Sequence, residues 1–206
     1  MKINEITEMS QIIEPVTPRT ADPDKNHQLF LKYKRTCEPI EQLTPEITLY
    51  EGDNSVHYVY MAVHSQGQAD DERIVYLMEY ERDNLRPLGD HAVQRWVWQD
   101  PKYRSQLGDL ASRLFDQLIE DYFTVVADNE QTPLGRKFWL KQLHRAFQRG
   151  LKVYYADFKQ EQLHQLHDAS QVDHYGKYVW TTHADSQHRV FAISSRELKL
   201  TQKAPL

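Results

Sequence analysis

The run Lys102-Tyr103-Arg104-Ser105-Gln106-Leu107-Gly108-Asp109-Leu110-Ala111 is the stretch whose residue types could hold a ligand. It is polar, it carries the cations Lys102 and Arg104, and a helical pattern starts within it. The first turn of a helix leaves N–H groups unpartnered and carries partial positive charge. A polar turn just before it can therefore hold an anion such as a pyrophosphate. Two further groupings suggest chemistry less strongly. His164 and His167, with Glu161 and His174 nearby, have a spacing that a short helix over Gln160 to His167 would bring onto one face, as two metal ligands need. No HExxH motif accompanies them, and a solvated surface is the favoured reading. Arg136, Lys137, Lys141, His144, Arg145, Arg149 and Lys152 form a basic run that could meet a phosphate or a nucleic acid. Several of them fall opposite Leu140, Leu143 and Phe147, which favours the solvated side of an amphipathic helix. No serine or cysteine stands in a nucleophile elbow, and there is no P-loop.

The polar turn is placed by its neighbours. Ala92 to Trp98 alternates and is rich in β-branched and aromatic residues, which predicts a strand. Asp100-Pro101 ends it, because proline lacks the N–H that a ladder needs. Leu107, Leu110, Ala111, Leu114, Phe115, Leu118 and Ile119 recur at helical spacing. Phe123 to Ala127 then reads as a buried strand. Upstream, strands are expected over Gln28–Tyr33, Ile47–Tyr50, Val56–Val63 and Ile74–Tyr80, most simply as an antiparallel meander. A proline-flanked loop precedes Ile47, Glu51-Gly52-Asp53-Asn54 reads as a turn, and Arg82 to Asp90 reads as a connection. Downstream, Thr132-Pro133 should start a helix that stops near Gly150. A strand over Leu151–Tyr155 comes next, and Tyr178–Thr182 with Arg189–Ile193 should close the chain as a hairpin around Ala184 to Gln187. The expected fold class is α+β (mixed α/β): one central, mostly antiparallel twisted sheet flanked by helices. Residues 1–26, with three prolines towards their end, read as an arm and linker before a single domain over 27–206.

Composition narrows the function classes. A hydrophobic share of 40% supports a buried core, so wholesale disorder is not expected. The net charge of -5 argues against general nucleic-acid affinity, which needs a basic face. Cys37 is the one cysteine, so an intramolecular disulfide and a Cys-based zinc site are excluded. The N-terminus lacks the apolar core of a signal peptide, and no apolar stretch is long enough to span a membrane. A cytoplasmic location is expected.

Over roughly Val56 to Phe191 the chain resembles the GNAT family of acyl-CoA-dependent N-acetyltransferases. VQRWVWQDPKYR resembles the family's central strand and the approach to its cofactor loop, QLGDLASRLFDQLIE its loop and helix, and TVVADNEQTPLGRKFWLKQL the next strand and helix. The style is closest to short phage and prophage members, which would place the protein in a host cytoplasm. The resemblance implies a GNAT-like fold, acetyl-CoA as cofactor and an amine as acceptor. It implies cofactor contacts at Trp98, Arg104, Gln106, Leu107, Gly108, Asp109, Leu110 and Ala111, with the 3′-phosphate of coenzyme A as one partner for the basic run. It implies a base for the amine at Glu79, with Gln94 and Trp96 beside it and Tyr76, Tyr80 and His91 in reserve; an isolated strand carboxylate more often faces solvent. The chain departs from the pattern twice. Asp109 stands where the loop's first glycine belongs, putting a carboxylate beside a dianion. Trp139 stands where a tyrosine usually protonates the departing thiolate, which an indole cannot do at neutral pH. Two functions therefore remain open: an acetyltransferase acting on an amine, or a GNAT-like binding protein without catalysis that acts on a host or virion protein.

Overall fold

A computed structural model describes residues 23–53, 58–67, 72–122, 124–127, 133–181 and 188–199. The elements are α1 (Pro23–Lys34), β1 (Cys37–Thr44), β2 (Ile47–Asp53), β3 (Tyr58–His64), β4 (Arg73–Leu85), β5 (Gly89–Gln99), α2 (Arg104–Leu107), α3 (Leu110–Tyr122), β6 (Thr124–Ala127), α4 (Pro133–Gln148), β7 (Lys152–Asp157), β8 (Gln162–Leu166), α5 (Ala169–Val179) and β9 (Arg189–Ser194). The strands make one sheet in the order β1-β2-β3-β4-β5-β6-β9-β7-β8. All pairs are antiparallel except β5 with β6. The α+β class and the mostly antiparallel sheet are as expected from the sequence.

Alternation sorts the strand residues onto two faces. Tyr60, Ala62, Met78 and Ala92 turn to the side covered by α3, α4 and α5, whose Leu114, Phe115, Leu118, Trp139, Leu143, Val172 and Val179 complete the main core. Val59, Met61, Val63 and Leu77 turn to the other side, under Phe30 and Tyr33 of α1. Among the described residues no helix is long and apolar enough to cross a membrane.

The fold corrects six expectations. Arg82 to Asp90 is mostly strand and not a connection: β4 runs to Leu85 and β5 starts at Gly89, paired across a tight turn. Gln28–Tyr33 is helix, not strand: the buried Phe30 and Tyr33 lie three apart on one helical face, while Leu31 is exposed. That helix also runs across the expected boundary between residues 26 and 27. The proline-flanked loop is the edge strand β1, where Pro39 is tolerated because an edge needs fewer donors and the register shifts just after it. Glu51 to Asp53 stays in β2, and Gly52 pairs with both Cys37 and Val59. Gln162–Leu166 is strand β8, so His164 and His167 share no helical face. Finally, Tyr178 and Val179 end helix α5, whose Val172, Gly176 and Val179 are buried at helical spacing. Asp168 starts that helix by accepting from the Gln171 N–H at 3.1 Å. β9 pairs with β6 and β7 instead of closing a hairpin. The arm over 1–22, the hairpin turn Ala184 to Gln187 and the Thr132 cap lie outside the described residues.

Candidate ligand-binding fork

β5 pairs with β4 from Gly89 to Gln99. On its other side it pairs with β6 only through Ala92, Val93 and Gln94, opposite Val125, Val126 and Ala127. Among the described residues that pairing ends at Gln94, and the chain after Ala127 lies outside the described residues. A bulge falls next to Gln94. Tyr80 faces Gln94 and Glu79 faces Trp96, so Arg95 is an extra residue in β5. Such a bulge bends the strand and re-aims the residues beyond it.

The polar turn follows directly on β5. Asp100 stops β5, its N–H donating to the Val75 carbonyl at 2.9 Å and its carboxylate accepting from the Lys102 N–H at 2.9 Å. Tyr103 is buried, with the His64 ring 4.9 Å away and the Arg73 guanidinium 5.7 Å over its face, which pins the turn to the ends of β3 and β4. The helix expected from Leu107 onward is broken. α2 ends at Gly108, whose positive φ of 54° turns the chain before α3 begins. The Asp109 carbonyl accepts from the Ser112 and Arg113 N–H groups at 2.8 and 3.1 Å. This leaves the N–H groups of Leu110 and Ala111 without partners in the helix. Because α3 links parallel strands, it runs back along the sheet, and its first turn lies at the end of the sheet that β5 reaches at Gln99.

The expected cofactor residues divide. Leu107 and Leu110 are buried and anchor the turn in the main core. Arg104 and Gln106 are exposed beside it. The Gly108 N–H is already used by the Arg104 carbonyl at 3.1 Å. The Asp109 side chain is 81% exposed and lies 3.7 Å from the Arg113 guanidinium. Arg113 also reaches Glu41 of β1 at 3.2 Å. Trp98 packs half-buried against the cluster under α1, so its ring belongs to the opposite face of the sheet from α3.

Glu79 is not the solvent-facing carboxylate that its strand position suggested. It is 5% exposed and accepts a hydrogen bond from the Tyr33 hydroxyl of α1. It stands beside the bulge, across from Trp96. Tyr33 went unnoticed because its segment reads as a strand. The reserve candidates sit deeper. Burial pushes the Tyr76 and Tyr80 phenols well above their ordinary value, and Tyr80 stacks on Tyr58 and Tyr60. Burial lowers the His91 pKa, and the His91 Nδ1 lies 2.6 Å from the Gly89 carbonyl. Trp139 is fully buried, edge-on to Phe115 at 5.2 Å, and wedges the main core.

The other groupings have structural work. Arg145, at 2.9 Å, and Arg149 both pair with Asp116 of α3, and Arg136 lies 5.3 Å over the Trp180 ring. His164 stacks with Tyr175 at 6.0 Å. Comparisons of the chain with family models, with curated proteins and with solved structures found no match.

Proposed function

We propose that β5 and β6 splay beyond Gln94 and Ala127, that the fork between them binds acetyl-coenzyme A, and that the protein is a GNAT-like N-acetyltransferase acting on an amine. The observation that supports this is the parallel pairing of β5 with β6 through α3, with the polar turn Lys102 to Ala111 between β5 and that helix. In such a fork the main chain of Arg95 to Gln99 offers N–H and C=O groups to the amides of a pantetheine arm, as an exposed strand edge does to an extended chain. The Leu110 and Ala111 N–H groups, with Lys102 and Arg104, take the pyrophosphate. Arg113 offsets the Asp109 charge beside it. On the α1 side, Glu79 removes a proton from the acceptor's ammonium while Tyr33 holds the carboxylate in place. The freed lone pair forms the N–C bond at the thioester carbon, the nitrogen gives its second proton to water, the C–S bond breaks, and the thiolate leaves to take a proton from water, since Trp139 is sealed in the core.

A second reading is a binding protein of the same fold without catalysis, a phage product acting on a host or virion protein. It is favoured by the depth of Glu79 under α1 and by Asp109 at the helix start. Titration calorimetry with acetyl-CoA separates the cases. The expected result is saturable binding that tightens about fivefold in Asp109→Gly, the effect of removing one charge near phosphate in a watery setting. No heat at millimolar acetyl-CoA with either protein rejects the cofactor; acetyl transfer to any amine by the unaltered protein rejects the second reading.

A further inference from the structure

Among the described residues the partly buried arginines are Arg73, Arg95, Arg145 and Arg189. Arg95 is matched by Glu81 at 2.9 Å, Arg145 by Asp116 at 2.9 Å and Arg189 by Asp157 at 3.0 Å. Arg73 has no carboxylate partner among the described residues, and its Nε is buried without a hydrogen-bond partner there. The neighbouring carboxylates are engaged: Glu72 pairs with Lys34 at 3.0 Å, and Asp100 accepts from the Lys102 N–H at 2.9 Å. A guanidinium drawn from water without an acceptor is costly, so an unmatched one needs a reason. Its place is fixed. Arg73 opens β4 directly across from His64, which ends β3. Its guanidinium lies 5.7 Å from the centre of the Tyr103 ring, and the His64 ring is 4.9 Å from the same ring. Tyr103 belongs to the main core, so the platform under the guanidinium is firm. The ring attracts the cation but offers its in-plane N–H groups no acceptor.

We propose that Arg73 anchors an oxyanion site for a phosphoryl group, where the end of β3 and the start of β4 meet the turn that carries Tyr103. A guanidinium gives two parallel N–H bonds to two oxygens of one such group. Arg73 is only partly buried, so the group is met from solvent, and the bound oxyanion supplies the acceptor that Nε lacks. The local charge favours a dianion over a single carboxylate. Lys102 and Arg104 are exposed on either side of Tyr103 in the chain. With Arg73 they make three cations against the one carboxylate of Asp100, a surplus of two positive charges in a chain whose net charge is -5. The site stands on the strand ends and the turn, and it holds whether or not acetyl-coenzyme A is the protein's cofactor.

The test is calorimetry with inorganic phosphate on the wild type and on Arg73→Gln, with ionic strength held constant by sodium chloride. The expected result is saturable binding to the wild type with a Kd on the order of 1 mM, and affinity at least about tenfold weaker in the variant, the size of a lost charge-assisted pair of hydrogen bonds. Equal affinity in the two proteins overturns the inference, and so does the absence of saturable heat with the wild type at roughly 20 mM phosphate. If Arg73→Gln does not fold, Arg73→Lys decides, because it keeps a cation over the Tyr103 ring and loses the guanidinium fork. Phosphate binding weaker than in the wild type supports the assignment, and equal binding overturns it. Acetyl-CoA added in competition separates the sources of the phosphoryl group. Displacement of phosphate supports the site with a phosphate of that cofactor as its occupant, and undisturbed phosphate binding supports it with a separate anion. Phosphate binding that depends on Arg73 in a protein that takes up no acetyl-CoA supports this site and rejects the acetyltransferase reading.

Discussion

A carboxylate with 5% exposure must find donors inside the protein, and Glu79 finds the Tyr33 hydroxyl, 46 residues earlier in the chain. The pair does two jobs. It joins α1 to β4, and it holds the carboxylate beside the bulge in β5. Tyr33→Phe keeps the ring and its packing but removes the donor. The expected cost is about 1 to 3 kcal/mol of stability in a denaturant titration, the range for stranding a buried acceptor. Under the transferase reading, turnover also falls while acetyl-CoA affinity holds, because the pair stands on the face away from α3. Unchanged stability would mean that Glu79 is satisfied without Tyr33. At this scale the sequence was half legible. The residue type of Glu79 pointed to a base, but its burial and its partner depended on a helix that local alternation disguised. The face of the Trp98 ring was not legible either: one bulge in β5 decides which face a ring takes, and a bulge has no signal in hydrophobic alternation.

The elements around the turn were the legible ones, because each changes period where the structure changes. Alternation ends at Asp100-Pro101, helical spacing runs from Leu110 to Ile119, and an apolar run resumes at Thr124. The flanks were harder. β1 carries Pro39 and has only Cys37 buried, so it shows no alternation to read. Helix α5 contains Tyr175, Tyr178 and Val179, types that favour strands, and only the Asp168 cap and the spacing of Val172, Gly176 and Val179 reveal it. Gly52 shows how composition misleads. Beside two acids it reads as a turn, yet it sits in β2 because the chain entering β1 crosses directly over it. A Cβ there would lie 2.2 Å from the Thr36 carbonyl oxygen and 2.6 Å from the Cys37 Cα. Both are backbone atoms and cannot swing away. Gly52→Ala should therefore cost about 3 kcal/mol, the upper end for overpacking, whereas Gly89→Ala, strained only by its φ of +71° with open space around it, should cost about 1 kcal/mol. Paired denaturant titrations of the two variants check this. Equal losses would show that β1 can lift from β2 at little cost.

For the molecule as a whole, the sheet order was beyond local pattern. β9 comes last among the described strands yet lies inside the sheet between β6 and β7, and nothing in its own residues encodes which edges it joins. Its insertion leaves β5 and β6 parallel neighbours near the middle, and the hairpin of β4 and β5 carries His91 into that interior. Desolvation is the main influence on His91 and lowers its pKa from the ordinary 6.5; the Gly89 carbonyl and the Asp83 and Asp90 carboxylates pull back without overcoming it, and Arg95 adds to the lowering. The neutral ring is thus the form that the fold accepts, with Nδ1–H given to the Gly89 carbonyl at 2.6 Å. As pH falls through about 6.5, the unfolded chain takes up a proton first. The stability tied to His91 is therefore complete above that pH and is lost as pH drops towards the folded pKa. A single group limits the slope to about 1.4 kcal/mol per pH unit. Melting curves from pH 8 to pH 5 should show a decline that begins near pH 6.5 and becomes shallower in His91→Gln, which offers an amide donor and has no such proton to bind. A decline of the same steepness in the variant would assign the acid sensitivity to other groups and leave the His91 ring a packing residue only.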